Sequence, residues 1–123
     1  MQRQRIAGAV LTIAAVLATS TACSSDDEGS QDGDTSPLVV KITIKGDTVD
    51  PNGKRIDVAT GQPIDLEVTA DAPGEIHVHS DPEHEFEYPA GTTKLDQFVI
   101  DRPGVVAVES HSLDKTIVQL EVK

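Results

Sequence analysis

Three of the chain's four histidines fall in the stretch GEIHVHSDPEHEF, from Gly74 to Phe86, with acids around them. His77 and His79 are two apart, so on a strand they project from one face with Cβ atoms about 6 to 7 Å apart. One metal ion is within reach of both. Such a His-x-His pair is half of a zinc or copper site and needs one or two further ligands, imidazole or carboxylate. The candidates are His111, further along the chain, and His84, Asp81 or Glu83 in the adjoining turn. Three imidazoles favour Cu(II) over Zn(II) by the usual affinity order, and a site built from them weakens in acid because each must shed its proton. The competing reading is structural. Ile76 and Val78 alternate with the pair, and if they face the core the histidines lie on a solvated face among Glu75 and Asp81. His84 then belongs to an exposed turn, and His111 stabilises the end of a strand.

Other chemistry finds little support. The chain has no nucleophile with its base, no glycine-rich phosphate loop and no close carboxylate pair with reason to have split pKa values, so it is not expected to be an enzyme. The acid runs Asp26 to Glu28 and Asp32 to Asp34 lack calcium-loop spacing and read as solvated charge.

The elements that must position the histidines are strands. After residue 37 helical periodicity is nearly absent, and short runs rich in Val, Ile and Thr recur between turn residues, which predicts an all-β sandwich or barrel. LVVKITI (38–44) turns Val40, Ile42 and Ile44 to one face. PIDLEVTA (63–70) turns Ile64, Leu66 and Val68 inward and Asp65, Glu67 and Thr69 outward. RIDVAT, EIHVHS, HEFEYP, KLDQFVI (94–100), GVVAVESH and TIVQLEVK complete about eight strands. The only rings besides histidine are Phe86, Tyr88 and Phe98, so the core must be mainly Val, Ile and Leu.

Ahead of this domain, residues 1–22 begin with Arg3 and Arg5 and run through an apolar stretch from Ile6 to Ala18. That length suits a secretory signal of roughly 7 to 15 apolar residues and falls short of the roughly 20 that span a bilayer. The small residues leading into Cys23 resemble the bacterial lipoprotein signal, in which that cysteine becomes diacylated. Ser20 and Ala22 also satisfy ordinary signal cleavage. The resemblance implies a lipid anchor at Cys23 and a place on the extracytoplasmic face of the cell membrane, since two acyl chains anchor stably. SSDDEGSQDGDTSP follows, an acidic tether over 23–37 with nothing to bury, holding the domain (38–123) on the order of 20 Å from the membrane. The signal segment holds two arginines and no acid, so its removal takes the formal net charge from −11 to −13. Nucleic acid is excluded as a partner, and cations or basic proteins are favoured.

GEIHVHSDPEHEFEYPAGT, followed by FVIDRPGVVAVESHS and TIVQLEVK, resembles the cupredoxin-like domains of secreted and lipid-anchored bacterial proteins. The resemblance implies a Greek-key β-sandwich of about seven to eight strands, with copper at one end in members that transfer electrons. It aligns His77 and His111 with the family's two histidine ligands. The cysteine ligand then falls on Val108 and the methionine near Thr116. The chain's only cysteine is Cys23 and its only methionine Met1, so neither can stand in. A blue copper centre needs a thiolate, and this domain cannot form one. By alternation Glu109 faces away from Val108. The reading that follows is an anchored module that binds or handles a metal, copper or zinc, at His77, His79 and His111, with His84 a candidate fourth ligand. The alternative is a metal-free accessory domain that contacts an envelope or membrane protein.

Overall fold

The computed structural model describes residues 36–123; the signal segment, Cys23 and the tether up to residue 35 lie outside the described residues. Among the described residues nine strands occur: β1 (Leu38–Lys45), β2 (Thr48–Asp50), β3 (Lys54–Val58), β4 (Ile64–Ala70), β5 (Gly74–Val78), β6 (His84–Tyr88), β7 (Gly91–Lys94), β8 (Gly104–Ser110) and β9 (Lys115–Val122). They form a four-stranded sheet in the order β2-β1-β4-β7 and a five-stranded sheet in the order β3-β9-β8-β5-β6. The pairs β1/β4 and β3/β9 are parallel and the other pairs antiparallel.

The alternation expected in β1 and β4 is observed: Val40, Ile42 and Ile44 pack against Leu66 and Val68 and the second sheet's inner face. That inner face carries Ile76 and Val78 of β5, Val106 and Val108 of β8, and Leu120 and Val122 of β9. These strands turn one side to the core, as a two-layer sandwich requires, except that Ile117 as well as Val118 is fully buried in β9, where the β8/β9 register shifts.

Two elements depart from the sequence expectation. β2 is a three-residue strand at Thr48–Asp50, paired with the end of β1. The strand expected over 94–100 does not form; a strand forms earlier, as β7, and stops at Lys94, and the segment after it stays beside β4 through an isolated bridge between Ile64 and Phe98 and a hydrogen bond from Leu95 N–H to Leu66 O. Its buried residues are Leu95, Phe98 and Ile100, a spacing that no period of two can satisfy, so the chain irregularly plugs the sandwich edge instead of extending it.

Asp65 lies on the outer side of β4, as its alternation requires, yet it is only 4% exposed. Lys94 Nζ lies 2.9 Å from its Oδ2, and Gln97 Nε2 donates to its Oδ1 at 2.9 Å. The hydrogen bonds from Lys94 and Gln97 hold its carboxyl below the usual aspartate value, against the opposing effect of burial. A carboxyl depressed in the fold contributes stability that is complete above its unfolded value and is lost as pH falls through the folded one. The Tm difference between wild type and Asp65→Asn at neutral pH should therefore close as pH drops below about 4. A difference that stays constant into strong acid would exclude this role.

Candidate metal centre on the outer face of the five-stranded sheet

Because Ile76 and Val78 face the core, the residues between and beside them face out: Glu75, His77 and then His79. His79 lies just past the end of β5, but its backbone N–H donates to Ala107 O at 2.9 Å, so it still rides on β8. Across the sheet His77 pairs with Glu109 of β8 on one side and Glu85 of β6 on the other. His111 follows β8 and lays its ring over His77, with centroids 3.8 Å apart and planes 13° apart. His79 lies 5.8 Å from His111 and 6.2 Å from His77, centroid to centroid. The three imidazoles singled out in the sequence thus meet on one face.

Glutamates surround them. His79 Nε2 is 2.9 Å from Glu109 Oε2, and His79 Nδ1 is 3.3 Å from Glu83 Oε1. Glu109 is itself held by Thr116, whose hydroxyl donates to Oε1 at 3.0 Å and leaves Oε2 for the histidine. That contact depends on a break in the β8/β9 register between Val108 and Glu109, which sets Thr116 opposite Glu109. Such bulges re-aim side chains beside functional sites. Ser80, whose hydroxyl donates to Pro82 O at 2.6 Å, and the ion pair of Arg102 with Asp81 fasten the turn that presents Glu83.

His77 is drawn toward its charged form chiefly by the Glu75 hydrogen bond, with Glu85 and Glu83 adding to the effect and burial opposing it. A histidine so raised lends stability that is full below its ordinary value and fades as pH climbs through the folded one.

Donor atoms fall into two groups, each with all members within 4.8 Å of one another: His79, Glu109 and His111, and Glu75, His77 and Glu85. His84 joins neither. It pairs with Val78 and so shares the inner side, where its half-buried ring lies 5.1 Å from Phe98 and 5.9 Å from Phe86. Glu85, its neighbour, is the residue of β6 that faces His77. Asp81 pairs with Arg102. Among the glutamates the sequence offers Glu83 as a candidate ligand; Glu75, Glu85 and Glu109 are what sequence reasoning passed over. Glu75, two before His77, shares its face by simple alternation, whereas Glu85 and Glu109 are revealed only by the cross-strand register.

Register also separates this cluster from the alignment suggested by the family resemblance. Val108, at the aligned cysteine position, is fully buried and pairs with Val78, while His77 faces out beside Glu109. Positions 77 and 108 lie on opposite faces of the sheet, so no single ion could be held by both.

No family model and no curated protein matches the chain. Among solved structures it is similar to a chain of a heme-copper terminal oxidase dimer, at 18% identity and a TM-score of 0.55, over 73% of this chain and 66% of that one. A multi-copper oxidase from Pediococcus acidilactici matches at 16% identity and a TM-score of 0.52, over 74% of this chain and 27% of that one. A Cu(I)-form amicyanin variant matches at 8% identity and a TM-score of 0.50, over 69% of this chain and 82% of that one. The chain therefore spans under two thirds of the length of the first two. At these identities the likeness shows the fold, a cupredoxin-like β-sandwich.

Proposed function

We propose that this domain is a lipid-anchored, extracytoplasmic module that binds a divalent metal ion at the cluster of His77, His79 and His111 and handles or transfers it without serving as an electron carrier. One observation carries the reading: His79, Glu109 and His111 already hold their donor atoms within 4.8 Å of one another, with His77 stacked on His111. Two imidazoles and a carboxylate, leaving open positions, make a donor set that binds Cu(II) or Zn(II), with copper ahead by affinity order. The copper proteins among the structural neighbours are consistent with this class. The want of a cysteine or methionine among residues 36–123 removes the soft ligands that tune a copper ion for rapid electron transfer. Cys23 supplies the anchor in this reading, and the acidic surface draws cations toward the site.

Adding Cu(II) or Zn(II) to the tag-free chain should raise its Tm. At about one hundred times Kd the gain is roughly 2.7 kcal/mol, on the order of 10 to 20 °C for a domain of this size. His79→Ala with His111→Ala should diminish it. No shift in wild type with either metal would reject the proposal and leave the metal-free accessory domain as the better account.

A further inference from the structure

The surroundings of His77 point to more than one bound ion, an inference that rests on the metal-binding reading above and extends it. His77 is 8% exposed, and its two ring nitrogens differ. Nε2 lies 2.5 Å from Glu75 Oε1. Nδ1 is buried with no hydrogen-bond partner, although Glu83 Oε1 and Glu85 Oε1 stand 3.5 and 3.7 Å away. An ionised carboxylate only accepts, so Glu75 takes the Nε2 proton, and whenever the ring is neutral its Nδ1 lone pair faces two further anions. That arrangement is repulsive unless a cation lies between them or Nδ1 also carries a proton.

The spacing favours a metal ion. Ligands about 2.1 Å from a tetrahedral ion stand about 3.4 Å apart, close to what separates Nδ1 from the two carboxylates and too long for a hydrogen bond. Glu75 meanwhile does what an outer carboxylate does for a metal-bound histidine: it takes the other ring N–H and fixes tautomer and orientation. Charge points the same way. Glu75, Glu83, Glu85 and Glu109 together carry −4, which two divalent ions balance and one leaves half uncompensated.

We infer that the outer face holds two divalent cations, one at His79, Glu109 and His111, the other at His77 Nδ1 with Glu83 and Glu85. Glu75 is a positioning residue for the second. Glu83, whose Oε1 is 3.3 Å from His79 Nδ1 and 3.5 Å from His77 Nδ1, joins the two. With one imidazole and two carboxylates the second position is the harder donor set and suits Zn(II) better than it suits a soft ion.

Titration of the tag-free chain with Zn(II), read by calorimetry and by native mass spectrometry, tests this. Wild type should bind two ions, Glu85→Gln one, and His79→Ala with His111→Ala one. Glu85 is exposed on an edge strand, so its replacement leaves the fold intact. Glu75→Gln should keep both ions but weaken one about 10- to 100-fold. One ion in wild type, unaffected by Glu85→Gln, would overturn the second position and leave the metal-binding proposal standing. Two ions in wild type and still two in Glu85→Gln would also overturn it. No ion at all would reject both.

Discussion

Ile76→Ala is expected to destabilise the metal-free protein by about 2 to 5 kcal/mol while leaving the number of ions bound by the folded molecule unchanged. Ile76 is fully buried in the centre of β5, flanked in sequence by Glu75 and His77, and it packs into the core between the sheets. Truncation removes most of a buried aliphatic side chain and leaves a cavity that a two-layer sandwich, held by strands on every side, closes only in part. For a domain of this size the loss lowers Tm by on the order of 10 to 30 °C. The neighbouring positions should behave in the opposite sense: His79→Ala, on the exposed side, should change metal-free stability little and remove one ion. The two phenotypes separate because adjacent residues on a strand serve opposite faces. Thermal unfolding without metal, with metal stoichiometry measured well below the midpoint, reads both. Loss of an ion in folded Ile76→Ala would show that the site depends on core packing and would defeat the division of labour.

That division explains what the sequence could and could not reveal. Alternation in LVVKITI and PIDLEVTA was enough to assign Val40, Ile42, Ile44, Ile64, Leu66 and Val68 to the core, because a strand buried on one face writes its orientation into its own residues. The same parity put His77 and His79 together. It could not say which strands would flank them, since register between distant segments is set by the whole sheet, and so Glu85 and Glu109 went unassigned. Sequence proximity then misled in one place. His84 lies seven residues from His77, but the turn between them reverses the chain and returns it with odd parity, so His84 lands opposite Val78 and joins Phe86 and Phe98. The segment 94–100 failed for a related reason: its content of Leu, Phe, Val and Ile suits a strand, but the spacing of the residues it buries does not.

Gly74→Ala tests how the start of β5 fixes the site above it. Gly74 pairs with Tyr88 across β5/β6, and a Cβ added there would lie 2.3 Å from the tyrosine oxygen and 2.7 Å from Cζ. Those contacts are far inside van der Waals distance, so one of the two strands or the ring must move. The ring has little freedom. It is 4% exposed, and burial pushes its hydroxyl up from the usual phenol value, with the fully buried Ser110 acting against the shift. Overpacking of this kind costs about 1 to 3 kcal/mol. In a Tyr88→Leu background, where the ring and its oxygen are gone, the added methyl group should cost much less, and the double-mutant cycle measures the coupling. The site should register the same event. Glu75 follows Gly74 directly, and Glu85 lies three residues before Tyr88 on the strand that would be displaced, so separating β6 from β5 moves both glutamates relative to His77. Affinity for the second Zn(II) should fall in Gly74→Ala, whereas the ion at His79, Glu109 and His111, built on β8 and the end of β5, should keep its affinity. Equal weakening of both ions would mean that the two positions are not held by separate strand pairs.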